Sequence, residues 1–125
     1  MPDRARLEAF VATVVGGEHV RAIADFYHED ASMQENLTEP RRGRELLMAH
    51  EQAALDRVAA MHTHPPTTVL LDGDDVVIAW TFDMTSKSGQ VRRLQELALQ
   101  RWRGDRIAEE RFVYDSATAW TVVEG

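Results

Sequence analysis

No cysteine occurs in the 125 residues, which removes disulfides, zinc–thiolate centres, iron–sulfur clusters and thiol nucleophiles from the available chemistry. Nor does any apolar run approach the roughly 20 residues that a membrane-spanning helix needs. The opening Met1-Pro2-Asp3-Arg4 begins an amphipathic stretch rather than a secretory leader, so a cytoplasmic protein is expected. Positive charge is scarce: 14 Lys and Arg stand against 21 Asp and Glu, a formal charge of −7. The basic residues are scattered, clustering only at Arg41-Arg42-Gly43-Arg44 and Arg92-Arg93, which argues against nucleic acid and anionic membranes as partners. There is no Gly-x-Ser-x-Gly elbow, phosphate loop or dinucleotide fingerprint, and Asp72-Gly73-Asp74-Asp75 is too short for a calcium loop. No cofactor is expected.

What is present is an ordinary folding composition, 44% hydrophobic and 28% charged, enough for one domain over residues 1–115 with a tail over 116–125. Leu7, Phe10, Val11 and Val14 recur at helical spacing, and Gly16-Gly17 stops them, predicting a helix over 4–15. Val20, Ile23, Ala24 and Tyr27 predict a second over 18–28. Residues 31–37 alternate, with Met33, Glu35 and Leu37 on one side, and read as a first strand. After a loop at 38–43, Leu47, His50, Glu51, Ala54, Val58 and Met61 form the stripe of a long helix over 43–61, which Pro65-Pro66 closes off. The periodicity then becomes two: strands are predicted at 67–71, 76–85, 91–102 and 106–114, joined by hairpin-length turns. Helices interleaved with one strand, then four strands in succession, give an α+β domain with a mostly antiparallel sheet. The tail carries Trp120, Val122 and Val123, too apolar to be solvated, and should pack on the outer sheet or on a partner subunit.

Alternation assigns the faces. Val76, Ile78, Trp80, Phe82 and Met84 share a core face, and Leu94, Glu96, Ala98, Gln100 and Trp102 lie together on one face of their strand. A three-residue Arg103-Gly104-Asp105 loop would pair Ala98 with Glu110 and Glu96 with Phe112, putting Glu96, Glu110, Phe112 and Tyr114 on one face. A two-residue Gly104-Asp105 turn would exchange Glu110 for Glu109. The opposite face, with Leu97, Leu99, Ile107 and Val113 among Arg101, Glu109 and Arg111, has the mixed character of a homodimer interface. His62 and His64 would share a strand face, but they lack a third ligand and precede a Pro-Pro loop, so no metal site is expected.

Phe26-Tyr27-His28-Glu29-Asp30-Ala31, Glu39-Pro40-Arg41-Arg42-Gly43 and the stretch from Glu96 to Asp115, in that order and spacing, resemble the nuclear-transport-factor-2-like superfamily, in its SnoaL-like and ketosteroid-isomerase-like branches. The resemblance implies a cone-shaped, cystatin-like fold: three helices packed in a strongly curved sheet that leaves an internal pocket, often dimeric through the outer sheet face. In the ketosteroid isomerases a strand carboxylate moves a proton while a tyrosine and a protonated aspartic acid stabilise the oxyanion. Glu35 falls where the base would be, but Phe10 and Ala98 stand at the positions of the two donors. Losing one such donor typically costs about 3 kcal/mol, so steroid isomerisation by that route is not expected.

The resemblance and the alternation together put Glu35, Glu96, Glu110, His50 and Glu51 around a pocket walled by Phe10, Met33, Leu47, Trp80, Phe82, Ala98, Phe112 and Tyr114. Several carboxylates in one apolar space cannot all stay ionised, so at least one should be a neutral acid beside an ionised base. The expected function is isomerisation, cyclisation or dehydration of a small hydrophobic or aromatic molecule, with Glu35 and Glu96 as the acid/base pair. The same pocket in a non-catalytic ligand binder, and an association domain acting through its outer face, are the alternatives. Against both pocket readings stands a structural one, in which some glutamates only close the mouth, paired with Arg92, Arg93, Arg101 or Arg111.

Overall fold

The computed structural model describes residues 1–124 and arranges them as three helices against one curved sheet. The Asp3 side chain accepts the Arg6 amide at 2.7 Å, an N-cap contributing about 1 kcal/mol, and begins α1 (Arg4–Val15). Gly17, at φ 84°, ends it by turning the chain where a Cβ would be strained. α1 buries Leu7, Phe10 and Val14, the face its spacing predicts, and α2 (His19–Phe26) buries Ala22, Ile23 and Phe26. The Phe10 ring meets Phe26 and Trp102 edge-on, with centroids 5.4 and 6.0 Å apart.

β1 (Tyr27–Glu35) begins earlier than alternation alone suggests and stops before Asn36, whose φ of 50° takes it out of the strand. Leu37 therefore does not share the face of Met33 and Glu35; it is 84% exposed. Where a loop is expected, β2 (Arg41–Arg42) folds back on β1, pairing Arg42 with Ser32. α3 (Arg44–Asp56) ends five residues short of the predicted 61. The Ala59 amide instead donates to Thr85 O, and β3 (Ala60–Thr63) pairs Met61 with Met84. The edge of a buried strand needs backbone partners, and that demand overrides the helical spacing of Val58 and Met61.

β4 (Thr68–Asp72), β5 (Asp75–Thr85), β6 (Val91–Arg103) and β7 (Arg106–Val113) form the predicted succession. The sheet order is β2-β1-β7-β6-β5-β3, with β4 also on β5, and β1 runs parallel to β7 while the other pairings are antiparallel. β8 (Thr121–Val122) pairs with β6 at Arg92 and Arg93, so the tail joins the sheet edge rather than covering the outer face. No helix of the described residues is long and apolar enough to cross a membrane.

The β6–β7 hairpin corrects the expected register. Its turn is the two-residue Gly104-Asp105, pairing Trp102 with Ile107, and an irregularity at Ala108 then pairs Arg101 with Glu109. Glu110 thus lies opposite Gln100, not Ala98, and Phe112 opposite Ala98, not Glu96. One extra residue on one strand restores the parity that the short turn would reverse, so Glu110 still points inward. Ile107, expected on the outer face, is fully buried in the core with Trp102, Ala98, Ile78 and Leu47. Each such side chain contributes about 1.5–3 kcal/mol by leaving water.

Candidate functional site

Between the helices and the concave face of the sheet lies a cavity of about 370 Å³. The sheet supplies Met33 and Glu35 from β1, Trp80 and Phe82 from β5, Glu96 from β6, and Glu110 and Phe112 from β7. The helices supply Phe10, His19, His50 and Glu51 among others, and Trp120 reaches in from the tail. Ten of the thirteen side chains expected around a pocket line this one. Leu47 and Ala98 do not: they are 1% and 0% exposed, packed in the core beneath the wall. Tyr114 lies beyond the end of β7 and outside the lining. The pKa of its hydroxyl is raised by partial burial and by the charges of Glu35 and Glu96.

The four carboxyls differ in environment. Glu110 is 3% exposed, accepts from the Tyr27 hydroxyl at Oε1 and from Gln100 Nε2 at 2.6 Å at Oε2. Gln100 Oε1 in turn accepts from Trp102 Nε1 at 3.0 Å, so the buried chain Tyr27–Glu110–Gln100–Trp102 satisfies each group in it. Burial pushes Glu110 up to about 7, with the charge of Glu51 adding to the rise and its two donors opposing it. Among the described residues Glu96 has no such donors. Burial, then the charges of Glu110, Glu35 and Glu51, push it up to about 8. Near neutrality it is therefore mostly a neutral acid facing an aromatic wall, in which the rings of Trp80 and Phe82 lie 5.7 Å apart.

Glu35 is different: its side chain is 44% exposed, and its partner is Arg41 Nη1 at 3.4 Å, from the β2 turn, rather than any of the four arginines expected. Arg93 instead grips Asp83, with His64 on the other side, and Arg101 pairs with Asp75. Glu51, 29% exposed, stands 3.4 Å from His19 Nδ1, and His19 Nε2 bonds Thr63 Oγ1 at 2.8 Å. His50, next to Glu51 on α3, is exposed at the rim. His62 and His64 do share an extended run, with ring centroids 4.6 Å apart. Among the described residues no group of three His, Asp or Glu side chains is placed to hold a metal ion.

Sequence reasoning missed His19, Tyr27 and Trp120 as cavity residues. Tyr27 reads as the last apolar position of a helix when it is the first residue of β1, and nothing in the pattern around His19 marks it out. The apolar load of the tail was the one sign that pointed to Trp120.

A family model described as SnoaL-like domain matches residues 7–110. Comparison with curated proteins gives no significant match. Among solved structures, one of an epoxide hydrolase from M. tuberculosis, described as LEH-like, superposes with a TM-score of 0.75 at 15% identity, covering 92% of this chain and 84% of the other. A protein with a ketosteroid isomerase-like fold from Catenulispora acidiphila, in complex with trimethylamine, gives 0.76 at 17% identity over 95% of this chain and 91% of the other. TerC co-crystallised with polyporic acid gives 0.75 at 17% identity, covering 90% and 91%. At these identities the likeness is one of fold.

Proposed function

The chain belongs to the SnoaL-like domain family, and from that footing we propose that its cavity binds a small, mainly apolar molecule and moves a proton on it. The observation that carries this reading is Glu96: a carboxyl in an apolar, aromatic cavity, held neutral by burial to about pH 8, with the more solvated Glu35 on the same cavity wall. Two carboxyls in unequal environments are what acid/base chemistry needs, one to give a proton and one to take it. Glu96 is the acid and Glu35 the base, and the reaction is isomerisation, cyclisation or dehydration. The bound trimethylamine and polyporic acid of two neighbours support a small organic molecule as the ligand.

The test is α-hydrogen exchange of 2-tetralone in D2O, followed by NMR. Wild-type protein should accelerate exchange, and Glu96→Gln should lower the rate at least about 100-fold, the usual scale of a lost general acid or base. Full exchange activity in both Glu96→Gln and Glu35→Gln would reject the acid/base roles. Binding without acceleration would leave the non-catalytic binder.

Association through the outer sheet is favoured by a separate observation. Leu97 and Val113, cross-strand neighbours on that face, are 43% and 38% exposed, and Arg101, paired with Asp75, stands farther along the same face of β6. The homodimer we propose buries them against a second copy. Sedimentation equilibrium should give a dimer that Leu97→Glu dissociates; a monomeric wild type would dismiss it.

A further inference from the structure

The acid/base reading makes no use of His19, yet inside the cavity wall its ring is hydrogen-bonded on one side and faces a carboxylate on the other. Nε2 bonds Thr63 Oγ1 at 2.8 Å, Nδ1 faces Glu51 Oε1 at 3.4 Å, and the ring lies 5.8 Å from that of Phe82. Three elements meet there: α2 gives the imidazole, α3 the carboxylate and β3 the hydroxyl.

Only one proton arrangement suits all three groups in the neutral imidazole. A carboxylate only accepts, so the nitrogen facing Glu51 must carry the hydrogen. Nε2 is then the bare nitrogen, and Thr63, whose side chain is buried with its residue 2% exposed, donates its single hydroxyl proton to it. The reverse tautomer would turn a lone pair of Nδ1 toward the oxygens of Glu51. Glu51 therefore sets the tautomer, Thr63 completes it by donating to Nε2, and His19 presents an N–H to Glu51.

A carboxylate offers about four lone-pair sites, and His19 faces only one oxygen of Glu51. Glu51 lines the cavity beside Ala54 and Phe82, with acceptor capacity left over for a ligand there. An acceptor fixed in an apolar space selects a ligand that brings a donor, because a ligand without one leaves it unpaired. A hydroxyl fits that role with its single donor, whereas an ammonium brings three donors and needs further acceptors beside Glu51.

We propose that the Thr63–His19–Glu51 chain is the specificity element of the cavity, with Glu51 accepting from a hydroxyl on an otherwise apolar ligand and His19 acting as its positioning residue. This rests on the pocket reading above and names the ligand class within it.

The experiment compares 1-naphthol, 1-methoxynaphthalene and 1-naphthylmethylamine by titration calorimetry on the full chain. Wild-type protein should bind the naphthol at least tenfold more tightly than the methyl ether. The preference should fall to within about twofold in Glu51→Leu, where the ether gains affinity because no acceptor is left unpaired, and shrink in His19→Phe. Nitrogen-15 NMR of the imidazole, which needs no ligand, should find His19 with its proton on Nδ1 in the wild type and mixed in Glu51→Leu. Equal binding of naphthol and ether, or a proton on Nε2 in the wild type, would overturn the inference and leave the pocket standing. Tightest binding of the amine would replace the hydroxyl by a cation and overturn it too. If none of the three binds, the pocket reading fails, and this one with it.

Discussion

The hydroxyl of Tyr27 donates to Glu110 across 83 residues of sequence, joining the first residue of β1 to the middle of β7 in the cavity wall. Replacing Tyr27 by Phe removes a donor from a carboxyl that is 3% exposed. The loss should be about 1 kcal/mol when Glu110 is neutral and up to about 3 kcal/mol when it is ionised, because hydrogen bonds to charged acceptors are the stronger ones. Urea unfolding of Tyr27→Phe should therefore show a larger deficit well above pH 7 than well below it, the Glu110 carboxyl titrating at about 7. An equal deficit at both ends would mean that the pair does not carry the charge of Glu110.

Glu96 makes the opposite kind of prediction. Its carboxyl is raised from 4.5 to about 8, so over that window the folded chain holds a proton that the unfolded chain has released. Stability from this group is intact below about pH 4.5 and falls as pH rises through about 8. Glu96→Gln, which cannot ionise, should leave stability near unchanged in acid and raise it by roughly 1–3 kcal/mol above pH 8, the scale of an unpaired buried polar group. Thermal unfolding of both proteins across that range tests the sign. A variant less stable than wild type at high pH would refute it.

The inward set on β5 and β6 was legible because alternation is a two-residue rule and both strands are long: Trp80, Phe82 and Glu96 all line the cavity. The hairpin was legible only in outcome. Alternation places Glu110 inward on a three-residue loop that does not form, and it is inward because the irregularity at Ala108 compensates the shorter turn. Two opposite shifts of one residue leave no trace in a hydrophobic pattern. His19 and Tyr27 escaped for another reason. Each sits at an element boundary, and what fixes its role is a partner far along the chain, Thr63 in one case and Glu110 in the other. Leu47 and Ala98 point the right way but are covered, because direction along a strand or helix does not say how deep the core reaches.

Away from the cavity, Asp83 on β5 meets His64, the residue after β3, at 2.7 Å and Arg93 of β6 at 2.7 Å. The Arg93 guanidinium holds the Asp83 carboxyl well below the usual carboxylate range, with burial opposing it and His64 assisting. A depressed carboxyl contributes stability above its unfolded value of 3.8 and loses it as pH falls through the folded one. Asp83→Asn should therefore cost about 1–2 kcal/mol at neutral pH, the modest figure reflecting partners that are 35% and 40% exposed. The cost should shrink in acid below about pH 4. A deficit independent of pH would assign the loss to packing instead.

Trp120 is the one large side chain that the tail puts into the cavity, at a residue with φ of 58°, and Arg92 Nη1 holds its carbonyl at 3.2 Å. The backbone bond and the pairing of Thr121 and Val122 with β6 survive a change of side chain, so Trp120→Ala should fold with little loss, under about 1 kcal/mol. The cavity, however, is left without one aromatic wall. Stacking on an indole, together with the apolar area it covers, stabilises a bound naphthyl ring by about 1–2 kcal/mol, so the dissociation constant for 1-naphthol should rise by about 5- to 30-fold. Because Trp120 takes no part in the Thr63–His19–Glu51 chain, naphthol and its methyl ether should weaken together and their ratio stay as in the wild type. A change in the ratio would mean that Trp120 sets the ligand's orientation at Glu51; unchanged affinity for both would mean that the tail closes a space the ligand does not use.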